Sequence, residues 1–423
     1  MTKTAKSGGE LPSPMRLNAE GPKVLRAGFI PLVDASVLIA AAEFGFAQKE
    51  GLTLDLVKDV SWANVRDRLA FRQFDIAHML SPMPVASMLG LGSNPSPTIT
   101  PFSLGRGGNA ITLSTRLFDR MRNDAGLPET AGALDNARAL AKTLAAMKVR
   151  GEPLPTFGVT YPFSSHNYEF RYWLAAGGID PDKDVKLVVV PPPMTSDALA
   201  AGAIDGFCVG APWNMVASER GVGRIVAAKQ DIWPSAPEKV IGMRPDWAET
   251  HPETVSRLIV ALDAAARWCD QPDNHDALAA ALADPRYIAA PVEIIRRVLA
   301  GEFSLDAKGN RRIIADYFMF HSGFANYPRP SQALWIYSQM IRWGQAEASL
   351  NMARAAASAY RPDLYRTALG DGNAPDDADI RIEGGDEGDR FMDGHVFDPA
   401  RLPDYVAGFA VKSALPFVTG DEI

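Results

Sequence analysis

From residue 24 onward, short apolar runs of strand length alternate with longer stretches whose apolar positions recur every three to four residues. VLRAGFI (24–30), LTLDLV (52–57) and FDIAHML (74–80) read as strands, and the segments 35–51 and 62–73 between them have helical periodicity, the first ending at Gly51. A short helix is expected from 84 to about 91, with strands near 98–103 and 109–114. A helical stretch at about 131–147 introduces a second series: strand 156–161, a helix from 165, strand 185–190, a helix near 196, strand 204–210, a helix after Pro212 and strand 224–229. The chain returns through KVIGMRPDW (239–247), and long helices follow from 252 to about 270. Alternation at this spacing builds right-handed βαβ units and mostly parallel sheets. The expected fold class is therefore α/β. Two sheets joined by two crossovers leave a cleft at the carboxyl ends of the strands, where ligands of such folds bind.

The remaining third, from about residue 289, is mostly helical. Its segment SQALWIYSQMIRWGQ is an amphipathic helix whose Leu334, Tyr337, Ile341 and Trp343 are expected to pack. The acid- and glycine-rich stretch 370–389 reads as a solvated surface loop, because its carboxylate spacing does not fit an EF-hand. A chain of 423 residues exceeds what a single core sustains. The expected division is a disordered N-terminal arm at 1–23, a first lobe from 24–115 plus 241–423 that carries a helical C-terminal extension, and a second lobe at 116–240.

A formal charge of −7 excludes a basic nucleic-acid surface as the main working face. Cys208 and Cys269 stand far apart, so neither a disulfide framework nor a cysteine-based metal site is supported, and no metal or cofactor is expected. No run of about 20 apolar residues offers a membrane span. The first 23 residues contain no apolar core of a signal peptide, no twin arginine and no lipid-anchoring cysteine, which makes the cytoplasm the expected location.

The segment SHNYEFRYWLAAGGI (165–179) opens a helix with small polar residues and a histidine, and stops it at Gly177-Gly178. The first N–H groups of a helix lack intrahelical partners and sit at the positive end of the macrodipole, so Ser164, Ser165 and His166 would line an anion-holding end. The plainer alternative makes Ser165 a simple cap and His166 a solvated first-turn residue. Three further polar or aromatic positions fall on cleft-facing loops: Trp62 after the strand 52–57, Asn109 after a glycine turn, and Lys239 at the second crossover. Trp62 could equally be packing, and Lys239 a surface charge. No G-x-S-x-G, H-E-x-x-H, P-loop or G-x-G-x-x-G is present, so an enzyme is not expected.

The blocks LRAGFIPLVDASVLIAA, DVSWANVRDRLAF, AHMLSPMPVASMLGLG, GNAITLS, HNYEFRYWLAAGGIDPDKDVKLVVVPP, DGFCVGAPWN and FANYPRP together resemble the nitrate- and bicarbonate-binding proteins of ABC transporters. The resemblance runs from residue 24 to about 365 and implies a two-lobed periplasmic-binding fold of type II, with an oxyanion held in the cleft. It further implies that Trp62, His166 and Lys239 match ligand-contacting positions, and that Asn109 takes a place where transport members tend to carry glutamine. Bicarbonate binders are expected to carry an acidic residue, assisted by calcium, where this chain has Lys239. Glu238, adjacent on a strand, is expected to face away from the site.

Without an export signal, the chain most resembles the cytoplasmic nitrate/nitrite sensors of the NasS type, which regulate an ANTAR-type, NasT-like RNA-binding antiterminator instead of feeding a permease. The alternative is the substrate-binding protein of a nitrate transporter whose leader is missing. Nitrate and nitrite, both small planar monoanions, are equally admissible ligands. Thiamine-pyrimidine synthases share this fold, but they need a cysteine- and histidine-rich iron site that two distant cysteines do not supply.

Overall fold

The computed structural model describes residues 23–92, 96–377 and 379–413, so the arm expected at 1–23 lies outside the described residues except for Lys23. Eleven strands matter for the site: β1 (Lys23–Phe29), β2 (Leu52–Lys58), β3 (Ile76–Leu80), β4 (Ile99–Ser103), β5 (Arg106–Gly107), β6 (Asn109–Ser114), β7 (Thr156–Val159), β8 (Lys186–Val189), β9 (Gly206–Gly210), β10 (Gly223–Ala228) and β11 (Lys239–Met243). They form two five-stranded sheets with orders β2-β1-β3-β11-β4 and β10-β6-β9-β7-β8. In the first sheet only β11 pairs antiparallel, against β3 and β4; in the second, β6 is the strand opposed to its neighbours β10 and β9. Each reversed strand is the one by which the chain enters that sheet from the other lobe.

The periodicity reading located these strands except β5, whose residues read as a glycine turn, and three further points are revised. The strand Asn109–Ser114, expected in the first lobe, pairs in the second sheet, so the first crossover falls just before Asn109 and not at 115/116. The second lies before Lys239, whose strand already belongs to the first sheet. The helix expected over 35–51 is two pieces, Ser36–Glu43 and Phe46–Lys49, because Gly45 has φ of 78°, a left-handed conformation that ends the first piece. A further helix, Thr115–Ala125, follows β6 directly; Ser114 caps it by accepting from the Leu117 N–H at 3.2 Å.

The C-terminal extension is not confined to the first lobe. The helix Pro330–Arg342 is buried along nearly its whole length, and the chain beyond it packs on the second lobe's helix Ser165–Ala176: Tyr168 Oη donates to Gln345 at 2.7 Å and Tyr172 Oη donates to Asp393 at 2.7 Å. Phe391 stacks at 5.7 Å on Tyr172 and lies 4.6 Å from Trp233 in the second crossover. The stretch 370–389, expected to be a solvated loop, is anchored by the buried Ala374 and Glu383, the latter accepting from Ser331 Oγ at 2.5 Å. Among the described residues no helix is long and apolar enough to cross a membrane.

The lobes touch. Val33 N–H donates to Ala211 O at 2.9 Å, Trp213 Nε1–H donates to Pro31 O at 3.2 Å, and Arg66 donates to Tyr161 Oη at 2.6 Å. The site lies in this contact zone, where the two crossovers run side by side and Leu104 N–H donates to Lys239 O at 2.8 Å.

Candidate functional site

Chain ends of regular elements place each of the four expected residues. Trp62 is the first residue of the helix Trp62–Ala70, which Ser61 caps by accepting from Asn64 N–H at 3.4 Å. His166 is second in the helix Ser165–Ala176, capped by Ser164, which accepts from Asn167 N–H at 3.0 Å. Asn109 opens β6 and Lys239 opens β11. All four are buried, and the structure brings them together. Lys239 Nζ lies 5.8 Å from the centroid of the Trp62 ring, while Asn109 and His166 meet Lys239 through a group that the sequence reading turned away.

That group is Glu238. Its carboxylate is bonded by Lys239 Nζ and by Asn109 Nδ2, accepts from Ser165 Oγ at 2.9 Å, and lies 3.6 Å from His166 Nε2. The expectation that it faces away fails because side-chain alternation holds only inside a regular strand. Glu238 precedes β11, in the crossover, where its carbonyl accepts from Ser81 N–H at 2.9 Å and its side chain is free to turn inward.

A second buried carboxylate completes the set. Asp34 follows β1 in the turn Val33–Ala35 and pairs with Lys239 Nζ at 2.7 Å. His78, in β3, holds the other oxygen of Asp34 at 3.0 Å through Nε2. The Ile30 N–H points at His78 Nδ1 at 3.4 Å, so the neutral tautomer protonated at Nε2 suits both contacts. Burial alone would raise the Asp34 pKa, but the Lys239 ammonium and the His78 hydrogen bond overcome it and hold the group at about 2. Burial works against the Lys239 ammonium in the same way, and Asp34 and Glu238 overcome it, leaving its pKa above the ordinary value. Glu238 ends below the usual carboxylate range: burial opposes this, and the Lys239 ammonium outweighs it.

His166 is buried, not solvated. Burial first, and Lys239 second, push its pKa down to about 3, so at neutral pH it is an uncharged imidazole. Its Nδ1 lies 3.0 Å from Thr160 Oγ1; with the hydroxyl donating there, the ring proton sits on Nε2. With His166 uncharged, the ammonium groups here are Lys239 and Lys229, which is buried and donates to Ala236 O. Glu169, one helical turn after His166, accepts from Asn109 Nδ2 at 2.9 Å. Burial, reinforced by Glu238, raises its pKa to about 8, so it carries a proton at pH 7. Two ammonium groups against two carboxylates leave these groups close to neutral.

Trp62 Nε1 and His166 Nε2 are buried and have no hydrogen-bond partner among the described residues. Two orphaned buried nitrogens beside a buried ammonium are costly unless an acceptor is brought to them. The arrangement suits capture of a small anion through one cation and several neutral donors. Among the described residues no group of three or more His, Cys, Asp or Glu side chains is placed to hold a metal ion.

Sequence reasoning missed Asp34, His78, Glu169 and Lys229. Three of them left a trace: Asp34 lies in the turn that follows a strand, His78 interrupts an otherwise apolar strand, and Glu169 lies three residues after His166, on the same helix face.

Residues 18–283 match the model of the NMT1-like family. The chain belongs to the NMT1-like family. Among its relatives, the nitrate/nitrite binding protein NrtA of Synechococcus elongatus is 34% identical over 402 residues, covering 92% of this chain and 87% of that protein. The nitrate import ATP-binding protein NrtC of Synechocystis is 36% identical over 393 residues, which is 92% of this chain but 55% of that protein. The chain thus spans about half the length of the ATP-binding relatives it matches. The crystal structure of the periplasmic nitrate-binding protein NrtA from Synechocystis superposes with a TM-score of 0.83 at 29% identity, covering 93% of this chain and all of that one. The fold is the type II periplasmic-binding fold, α/β with two mixed sheets flanked by helices. The matched relatives thus include nitrate/nitrite binding proteins over most of their length and ATP-binding proteins of nitrate import and bicarbonate transport over about half of theirs.

Proposed function

We propose that the site between the lobes binds nitrate or nitrite. The observation that carries this reading is the buried Lys239 ammonium with two orphaned buried nitrogens, Trp62 Nε1 and His166 Nε2, beside it. A monoanion removed from water needs a charge partner and several hydrogen bonds, and these groups supply both. The names of the relatives, nitrate/nitrite binding and nitrate import proteins, support the same ligand class. Bicarbonate is a second reading, favoured by the Glu238 carboxylate, which could accept from the hydroxyl of bicarbonate as it could not from nitrate. Calorimetric titration with nitrate, nitrite, bicarbonate and sulfate tests the assignment. Nitrate or nitrite binding that Lys239→Gln abolishes supports it, and selective bicarbonate binding replaces it.

The relatives favour the setting of a transport binding protein. The cytoplasmic sensor, with an ANTAR-type antiterminator as its partner, rests on the sequence reading alone. Cell fractionation separates the two. A periplasmic protein belongs to transport, and a cytoplasmic one that leaves a co-purified partner on addition of nitrate is a sensor.

A further inference from the structure

Glu238 occupies the place where a ligand's oxygens would go. A carboxylate is a planar trigonal monoanion presenting two oxygens, much as nitrite or one edge of nitrate does. Its oxygens are bonded by Lys239 Nζ, Asn109 Nδ2 and Ser165 Oγ, and His166 Nε2 stands 3.6 Å from the nearer one. Three of the four residues expected to hold the ligand therefore already face a carboxylate of the chain itself. A cavity of about 10 Å³ beside Lys239 and Glu238 is lined also by Asp34, Arg106 and Phe318, and not by Trp62, Asn109 or His166. Such a volume admits about one water molecule, not an oxyanion of three or four heavy atoms.

We infer that Glu238 is a built-in competitor for the oxyanion site, whose carboxylate must swing out before a ligand enters and which therefore sets the affinity of the site. The inference rests on the oxyanion reading above for the location of the ligand. The backbone of Glu238 is fixed by the Ser81 N–H, so the exchange is a side-chain rotation and not a loop rearrangement. Arg106 lines the same cavity and gives the displaced carboxylate a cation to meet. The ligands selected are small planar oxyanions that can accept from the same donors, which extends the class to formate.

The test is calorimetric titration of wild type, Glu238→Ala and Glu238→Gln with nitrate, nitrite and formate, with thermal unfolding recorded for each. Both variants are expected to bind nitrate or nitrite at least tenfold more tightly than wild type, and the alanine variant to bind formate in the space vacated. If Glu238→Ala does not fold, Glu238→Gln alone decides, since it keeps the shape and removes the competing charge. Folded variants that bind nitrate no better than a nitrate-binding wild type overturn the inference and leave the oxyanion reading standing. Formate binding to Glu238→Ala, with no nitrate or nitrite binding by any form, supports the competitor and overturns the nitrate reading. Absence of all three ligands from all three proteins overturns both.

Discussion

Gly210, the last residue of β9 in the second lobe, lies directly against Asp34 of the first: a Cβ at position 210 would come within 2.9 Å of Asp34 Oδ2. That oxygen is not the end of a flexible chain, because Lys239 holds it at 2.7 Å and His78 holds the other oxygen at 3.0 Å. The missing side chain at Gly210 is thus what lets the lobes close over the ion pair. Gly210→Ala is expected to push Asp34 away from Lys239, costing about 1–3 kcal/mol of stability as overpacking does, and to weaken anion binding. Denaturant unfolding and nitrate titration check this, and a variant matching wild type in both would show that Asp34 has room to move.

Lys239 neutralises two buried carboxylates, so its removal affects the fold as well as the ligand. Lys239→Gln is expected to cost about 3–5 kcal/mol of stability, the penalty of breaking a buried pair by deleting one partner. Adding Asp34→Asn removes one of the two orphaned charges and recovers part of that stability without restoring anion binding. A double variant that regained affinity would place the ligand's charge partner elsewhere, with Lys229 the first candidate.

The strands were legible because buried runs such as FDIAHML are short, mostly apolar and punctuated by turn residues, and the packing of two sheets demands that pattern. Trp62, Asn109, His166 and Lys239 were reachable because each stands at the junction of a strand or helix with a crossover or loop. Asp34 and Glu238 were not, since their importance comes from charges that converge only after folding. The reading of Glu238 failed on a single register boundary: one residue inside β11 it would face away, and one residue outside it turns in. The charge state of His166 was likewise invisible, because it is set by complete burial and by a lysine 73 residues away in sequence.

Asp34 and Glu169 have displaced pKa values that act on stability in opposite directions. Asp34, near 2 when folded against 3.8 ordinarily, contributes stability that is fully present above pH 4 and lost as pH falls through 2, worth about 2 kcal/mol. Glu169 runs the other way: with its folded pKa near 8 against 4.5, stability present below pH 4.5 is lost as pH rises to 8, where the buried group must ionise. Glu169→Gln should therefore melt above wild type at pH 9 and close to it at pH 5. Melting curves at the two values suffice, and equal melting differences at both would remove Glu169 from the account.

Ligand binding should sense the same carboxyl group. Facing it are Asn109 from β6, Glu238 and Lys229 from the second crossover, and Lys239 from β11; His166, three residues earlier in the same helix, stays neutral above about pH 3. A bound anion adds negative charge near Glu169 and raises its pKa further, so above pH 8 binding must draw a proton from solvent. Nitrate affinity is then expected to be flat from pH 5 to 7, with no step in the ordinary histidine range, and to fall above about pH 8 by up to tenfold per unit. Glu169→Gln should flatten the alkaline limb, and calorimetry in buffers of different ionisation enthalpy should register proton uptake in wild type alone. A fall in affinity between pH 6 and 7 that His166→Gln abolishes would mean instead that the imidazole binds the anion as a cation, contrary to its burial beside Lys239.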